Sequence, residues 1–111
     1  MRNMAFSLTI PQFRARTKTV TRRTGWNFLR PGDQVMGCEK CQGIPRGGLV
    51  RLGPIEVISS RAERLDLITP AECALEGFPE MSPDDFIFMF IAANINVFPE
   101  TLINRIEYKY L

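Results

Sequence analysis

Hydrophobic and polar residues alternate along much of the first half of the chain, and such alternation is typical of β-strands. The strands that it predicts cover residues 5–10, 19–23, 34–40 and 49–60. Gly53-Pro54 interrupts the last of these or divides it into two strands. A final alternating segment, residues 103–111, places Ile106, Tyr108 and Tyr110 on one face, so the chain is predicted to close with a strand.

The spacing of apolar residues becomes helical in the second half. Thr69-Pro70-Ala71-Glu72 matches a capping box with proline at the first helical position, and Gly77 is a candidate C-terminal cap. Ser82 begins a second predicted helix, which runs to about Asn94. Four of its apolar residues lie at helical spacing and predict a packed core face rather than a cofactor site, namely Phe86, Met89, Phe90 and Ala93.

Two shorter helical segments are predicted earlier in the chain. Residues 11–16 form a short helix with Pro11 in its first turn, and residues 26–29 form one helical turn. These elements predict an α+β fold, a small and mostly antiparallel β-barrel with two or three short helices covering its ends. No repeat or linker divides the 111 residues, so residues 1–111 are predicted to form a single domain.

Composition limits the class of protein. The chain is 45% hydrophobic and 23% charged, as is ordinary for a globular protein. No apolar run approaches the roughly 20 residues that a membrane helix needs. No apolar signal core follows Arg2. We therefore expect a cytoplasmic protein with no membrane partner.

The net charge of +2 conceals an uneven distribution. Residues 1–64 carry twelve basic and four acidic groups, a net charge of +8, whereas residues 65–111 carry two basic and eight acidic groups, a net charge of −6. If the basic half forms one face, it will attract a nucleotide or a nucleic acid. Alternatively, the two halves pack together and neutralise each other.

The three cysteines do not predict a metal site. Cys38 and Cys41 have the spacing of half a zinc site, and Cys73 is a candidate third ligand. The chain has no histidine and no second pair, whereas structural zinc nearly always takes four Cys or His ligands. An odd number of cysteines also argues against a disulfide framework. We expect reduced structural thiols, with no metal and no other cofactor.

The segment Thr17-Lys18-Thr19-Val20-Thr21-Arg22-Arg23 concentrates three hydroxyls and three positive charges. One interpretation is a solvated edge strand, whose cations prevent pairing with another chain. The other is a binding site for a phosphate, a carboxylate or a polarised carbonyl.

Lys18 is a candidate general base, because the chain lacks histidine and acid–base chemistry falls to Lys, Glu, Asp or Tyr. A lysine acts as a base when burial or nearby positive charge, here Arg22 and Arg23, lowers its pKa. A neutral Lys18 could then activate a threonine hydroxyl. Lys18 and Thr21 would lie on opposite faces of an ideal strand, so they converge only if Lys18 lies in the turn before it.

Glu76 is the most informative acid of the second half. It lies near the predicted end of a helix, where the macrodipole disfavours a carboxylate. A residue placed against a local rule points to function. Its structural alternative is a partner for an arginine of the basic half.

Taken together, several motifs resemble the ASCH domain, in particular the small stand-alone ASCH proteins of phages and bacteria. The resemblance covers about residues 5–111 and rests on residues 17–23, 29–33, 75–79 and 82–86. It implies a PUA-like fold with a cleft lined by the Lys-Thr strand, and a ligand that is RNA or a modified nucleoside.

One branch of that superfamily is a small amidohydrolase that cleaves N4-acetylcytidine to cytidine and acetate. The resemblance implies that Lys18 is the general base, Thr21 the nucleophile and Glu76 the proton donor to the leaving amine. The candidate ligand-binding residues are Ser7, Thr19, Arg22, Arg23 and Trp26. Arg22 and the Gly-rich segment from Cys38 to Gly48 depart from the pattern.

Three hypotheses about function follow. The first is a nucleoside- or RNA-binding ASCH protein that hydrolyses an acyl-amide on the base through Lys18, Thr21 and Glu76. The second is a non-catalytic RNA-binding module, which predicts exposed basic residues and steep salt dependence. The third is a protein-interaction adaptor that uses the acidic helical half.

Overall fold

The computed structural model describes residues 1–111, which form five strands, three α-helices and one 3₁₀ turn. The strands are β1 (Arg2–Ala5), β2 (Val20–Arg23), β3 (Gln34–Cys38), β4 (Arg51–Arg64) and β5 (Leu102–Tyr110). The helices are α1 (Ile10–Arg14), α2 (Pro70–Leu75) and α3 (Pro83–Ala93), and the 3₁₀ turn is Leu65–Leu67.

All five strands form one curled sheet in the order β1-β3-β4-β5-β2. The β1–β3 pair is parallel and the other three pairs are antiparallel. The long strand β4 connects the two sides of the sheet, because its residues 51–56 pair with β3 and its residues 55–64 pair with β5. The predicted class, a small and mostly antiparallel α+β fold, is confirmed. The edge strands β1 and β2 do not pair, so the sheet is a half-barrel.

The predicted N-terminal strand, residues 5–10, was wrong in position. The strand is Arg2–Ala5. The amide of Phe6 makes the last backbone hydrogen bond to β3, donating to the carbonyl of Cys38 at the end of that strand. The chain then turns, because the amide of Thr9 donates to the carbonyl of Phe6 at 2.9 Å. The short helix α1 follows with proline in its first turn, close to the predicted residues 11–16.

Two further predictions need correction. Residues 26–29 form a turn and not a helical turn, because Trp26 has a left-handed backbone with φ of 58°. Gly53-Pro54 does not break the strand, since β4 runs through it and Pro54 accepts a hydrogen bond from the amide of Leu111. On the facing strand β3, the pairing register with β4 shifts between Gly37 and Cys38, and this shift accommodates the Gly53-Pro54 pair.

The helical half follows the sequence closely. The side chain of Thr69 accepts a hydrogen bond from the amide of Glu72, and that of Ser82 accepts one from the amide of Asp85. These contacts satisfy amide donors that a helix start otherwise leaves free, so they set where α2 and α3 begin.

Two groups of buried side chains stabilise the fold. The sheet core has nine members, which are Met4, Phe6, Phe13, Leu29, Val35, Ile55, Val57, Ile106 and Tyr108. The helix core has seven members, which are Leu65, Ile68, Cys73, Phe86, Phe90, Val97 and Ile103. Burial of apolar side chains from water is the main stabilising contribution of both. No helix of this fold is long and apolar enough to cross a membrane.

Candidate functional site

A cleft of about 310 Å³ lies between the two cores. The sheet core contributes Phe6 to its wall, and the helix core contributes Phe86 and Phe90. Loops and helix ends supply most of its polar groups, because a loop can present side chains that a paired strand directs elsewhere. A concave site with apolar walls and a few convergent polar groups is typical of small-molecule binding.

Lys18 lies in the loop immediately before β2, which is the placement that convergence with Thr21 requires. Its side chain is only 3% exposed, and its Nζ donates to the backbone carbonyl oxygen of Glu76 at 2.9 Å and to Oε1 of the same residue at 2.7 Å. Burial lowers the pKa of Lys18 from its ordinary value of 10.5. The Glu76 carboxylate acts in the opposite direction, and Arg23 and Arg22 add to the lowering.

Glu76 is the C-terminal cap of α2. Its two carboxylate oxygens are divided between two cations, with Oε1 accepting from Lys18 and Oε2 accepting from Nη1 of Arg22 at 3.1 Å. The glycine that follows makes this approach possible. Gly77 has φ of +100°, and a Cβ there would lie 2.9 Å from Cγ of Gln12 and 3.4 Å from Cβ of Lys18.

Arg22 links the cleft to a larger buried charge network. Its Nη2 donates to Glu63 at 2.9 Å and lies 3.8 Å from Glu72, which in turn accepts a hydrogen bond from Arg105 at 2.8 Å. With Lys18 and Glu76, the network holds three buried cations and three carboxylates, whose charges balance, and the exposed Arg61 also contacts Glu63 at 3.2 Å. Such balance is needed because an unpaired buried charge is strongly destabilising.

Thr21 and Arg23 form the second polar pair of the cleft. Nε of Arg23 donates to Oγ1 of Thr21 at 3.0 Å, and the guanidinium lies 4.7 Å from the ring centroid of Phe6. Arg23 makes no ion pair with a carboxylate, so its positive charge is not neutralised within the protein.

Two tyrosines support the Lys18 loop from the sheet side. The hydroxyl of Tyr108 donates to the backbone carbonyl of Lys18 at 3.0 Å, and the hydroxyl of Tyr110 donates to the same carbonyl. Burial raises the pKa of Tyr108, so its hydroxyl keeps the proton that it donates. The predicted shared face of Ile106, Tyr108 and Tyr110 therefore supplies hydrogen bonds to the Lys18 loop as well as apolar packing.

The structure brings together most of the residues that the sequence singled out. Seven of the eight line the cleft, namely Ser7, Lys18, Thr21, Arg22, Arg23, Trp26 and Glu76. Thr19 does not line it. The backbone of Thr19 instead joins α2 to the sheet, because its amide donates to Leu75 at 2.9 Å and its carbonyl accepts from Tyr108 at 3.1 Å.

The sequence reasoning missed the apolar wall of the cleft. Phe86, Met89, Phe90 and Ala93 were predicted as a packed core face. Phe86 and Phe90 are buried as expected, but all four side chains also line the cleft, together with Phe78 and Asn94. A helical stripe cannot reveal this, since a face packed on a core and a face that borders a pocket have the same spacing.

The two alternatives for the charge asymmetry are both partly realised. Lys18 and Arg22 of the basic half pair with carboxylates of the acidic half. Seven of the fourteen basic side chains nevertheless form no ion pair, and all of them lie within residues 1–51. They are Arg2, Arg16, Arg23, Arg30, Lys40, Arg46 and Arg51.

The cysteines are free thiols. Burial raises the pKa of the thiols of Cys38 and Cys73, and Cys73 belongs to the helix core. No group of three or more His, Cys, Asp or Glu side chains is arranged to hold a metal ion.

Comparison with known proteins identifies the fold. No family model and no curated protein matches the sequence. Among solved structures, the chain is similar to a DUF984 family protein from Enterococcus faecalis, with a TM-score of 0.69 and 10% identity over 100% of this chain and 76% of that one. It is also similar to an ASCH domain from Lactobacillus crispatus, with a TM-score of 0.62 and 12% identity over 98% of this chain and 78% of that one.

Two proteins that share about a tenth of their residues with this chain therefore have its backbone arrangement over nearly its whole length. The resemblance to the ASCH domain, which the sequence motifs had indicated, is confirmed at the level of the fold.

Proposed function

We propose that the cleft binds a base of RNA or a modified nucleoside and hydrolyses an N-acyl amide on that base, with N4-acetylcytidine as the candidate substrate. The observation that carries the proposal is convergence. Lys18 from a loop, Thr21 from β2 and Glu76 from the end of α2 line one cleft, and the lysine among them is buried. In this proposal residues 1–111 act as one ASCH-like domain in the cytoplasm.

The residues divide the chemistry as the resemblance implies. Nζ of Lys18, as a neutral amine, takes the proton of the Thr21 hydroxyl, and Oγ1 of Thr21 attacks the acyl carbonyl. The C–N bond breaks, Glu76 gives its proton to the departing amine, and the acyl group remains on Thr21 as an ester. Water then hydrolyses the ester, and the hydroxyl of the water leaves with the acyl group as a carboxylic acid. Thr21 regains its proton from Lys18, and Glu76 regains its proton from the water.

Three features of the cleft support this scheme. The lowered pKa of Lys18 favours the amine form that a base requires. The 2.7 Å contact between Nζ of Lys18 and Oε1 of Glu76 gives a direct path for a proton between the two groups. Arg23 brings an unpaired guanidinium to Thr21, close to where negative charge develops on the attacked carbonyl.

A turnover assay tests the proposal. Purified protein is incubated with N4-acetylcytidine, and cytidine and acetate are followed by chromatography. The decisive variant is Thr21→Val, which removes the hydroxyl at nearly constant volume. Its matched control is Thr17→Val, because Thr17 is exposed and lies outside the cleft. We expect turnover in the wild type and in the control, and none in Thr21→Val or Lys18→Ala.

Retained turnover in Thr21→Val or Lys18→Ala would contradict the assigned roles. Absence of turnover in the folded wild type would contradict hydrolysis of this substrate, and would favour the second candidate, a non-catalytic RNA-binding module. The seven unpaired cations of residues 1–51 support that candidate, because cations without internal partners can contact phosphates. A salt titration of RNA affinity would measure how many of them do so.

A further inference from the structure

Three planar side chains form a contiguous group beside the cleft, here called the aromatic rim: the half-buried Trp26, which lines the cleft, and the exposed Phe28 and Arg2. The rings of Trp26 and Phe28 lie 5.6 Å apart between centroids with an interplanar angle of 34°. The guanidinium of Arg2 lies 4.7 Å from the centroid of Phe28. Phe28 remains 49% exposed, although its ring contacts both neighbours.

Trp26 joins this rim to the cleft. It lines the cleft wall and packs against the sheet core, while its ring contacts Phe28 outside. Its backbone is left-handed, with φ of 58°, directly after Gly25 with φ of 73°. A left-handed conformation is unfavourable for a bulky side chain, and such outliers concentrate at binding sites, where the surrounding structure maintains them.

The charge of the rim is available to a ligand. Arg2 forms no ion pair, and neither does Arg23 inside the cleft. Exposed aromatic rings beside unpaired arginines have the chemistry that binds single-stranded nucleic acid, since bases stack on rings and guanidinium planes and phosphates pair with the guanidinium. An apolar protein partner would not require the unpaired charge.

We propose that the aromatic rim binds the nucleotide next to the base held in the cleft, so that a single-stranded RNA is a better substrate than the free nucleoside. This inference rests on the proposed function for the identity of the base in the cleft. The flanking base stacks on the exposed surface of Trp26 and Phe28, and Arg2 pairs with the adjoining phosphate. Stacking on aromatic side chains is tolerant of sequence, so the rim contributes affinity with little base preference.

The first experiment compares two substrates. Values of kcat/KM are measured for N4-acetylcytidine and for a short single-stranded RNA that contains one such residue. The variants are Phe28→Ala and its control Phe88→Ala, whose phenylalanine is 78% exposed on α3 and lies outside the cleft lining. We expect the wild type to prefer the RNA, and Phe28→Ala to lower kcat/KM for the RNA about ten-fold more than for the nucleoside. Phe88→Ala should leave both values unchanged.

Equal turnover of the two substrates by the wild type would overturn the inference. So would equal effects of Phe28→Ala and Phe88→Ala on the RNA substrate.

The second experiment does not depend on catalysis. Trp26 is the only tryptophan of the chain, so intrinsic fluorescence reports on the rim directly. An unmodified single-stranded RNA is titrated into the protein, with anisotropy of a labelled strand as an independent measure of binding. We expect quenching of Trp26 that follows binding, affinity about ten-fold weaker in Phe28→Ala, and a shallower salt dependence in Arg2→Gln than in the control Lys109→Gln, whose lysine pairs with Glu56.

RNA binding that is detected by anisotropy without a change in Trp26 fluorescence would overturn the proposal that the rim binds RNA, and so would absence of binding. Quenching with these variant effects, in a protein that hydrolyses neither substrate, would support the rim and contradict the proposed hydrolysis. The two proposals can therefore fail separately.

Discussion

The cleft has a buried floor, formed by Lys18, Arg22 and Glu76, and it differs from the aromatic rim in how its cations are used. On the floor, Lys18 and Arg22 are buried and both contact the carboxylate of Glu76. On the rim, Arg2 is exposed and contacts an aromatic ring instead of an acid. The difference shows that the number of cations near a site does not measure its attraction for an anionic ligand.

Desolvation explains the contrast. A cation that leaves water must gain a carboxylate partner, which neutralises its field but makes its pKa sensitive to the surroundings. A cation that stays in water keeps its charge available. In our proposals the floor therefore transfers protons and the rim binds a polyanion. Substitutions that affect one region and spare the other test this division.

The largest effect is expected from Glu76→Gln, which breaks the floor. The variant leaves Lys18 and Arg22 without their shared charge, and removing one partner of a buried ionic group costs about 3–5 kcal/mol. Urea unfolding measures the loss of stability. The control is Glu80→Gln, because Glu80 is exposed and forms no ion pair, and it should change stability by less than about 0.5 kcal/mol. Equal effects would mean that the floor is not held by this carboxylate.

Gly77→Ala should have the next largest effect, because it disturbs the approach of α2 to the floor without changing any charge. The positive φ of Gly77 and the short distance to Gln12 predict a cost of about 1–3 kcal/mol. Gly47→Ala is a control with positive φ but no neighbour within 4 Å of the added Cβ. The difference between the two variants isolates the close packing, and no difference would show that backbone strain alone matters.

A third prediction concerns pH and the floor alone. As the proposed base, Lys18 must be neutral, so kcat/KM should rise with pH through a pKa that lies below 10.5. Removing the positive charge in Arg23→Gln should move this rise to higher pH, because Arg23 contributes to lowering the pKa of Lys18. In Arg2→Gln the rise should stay in place. A rise that does not move in Arg23→Gln would contradict the electrostatic account.

The same pKa shift predicts a stability change. Between the lowered pKa of folded Lys18 and 10.5, the unfolded chain binds more protons than the folded one, so the free energy of unfolding should increase with pH in that window. Lys18→Met should remove this increase. Urea unfolding at a series of pH values up to about 10 would detect it, and an unchanged slope in the variant would contradict the assignment.

The smallest effect on stability is expected at the rim. Phe28→Ala removes a half-exposed ring, its contact with the Trp26 ring and one cation–π contact, and a cation–π contact is worth about 0.5–1 kcal/mol at an exposed site. Thermal unfolding of Phe28→Ala and Phe88→Ala should therefore give similar melting temperatures, even though only the first is expected to weaken RNA binding. A large destabilisation by Phe28→Ala would indicate that the rim stabilises the fold and would contradict this prediction.

Several parts of the fold could be read from local sequence. The caps at Thr69 and Ser82, the turn at Gly77 and the alternation of β5 depend on residues within a few positions of one another, and all of them were predicted. The N-terminal strand was misplaced because alternation in residues 5–10 ignores the turn at Thr9. β4 was interrupted in the prediction because the bulge partner of Gly53-Pro54 lies on another strand.

Part of the candidate site was also readable: the cations beside Lys18 and the helix end at Glu76 indicated these two residues, and the resemblance to the ASCH domain implied Thr21. The wall formed by α3 and the rim at Phe28 were not, because apolar spacing alone does not say whether a side chain borders a core, a cleft or solvent.

Local chemistry along the chain thus specified most of the elements, the helix caps and the candidate site residues. The contact between Lys18 and Glu76 joins residues 58 positions apart, and the pKa of that lysine depends on how deeply this contact is buried. Burial and long-range pairing are properties of the packed sheet and helices. They exist only once β2, α2 and α3 enclose the cleft, and they separate a neutralised floor from a charged rim.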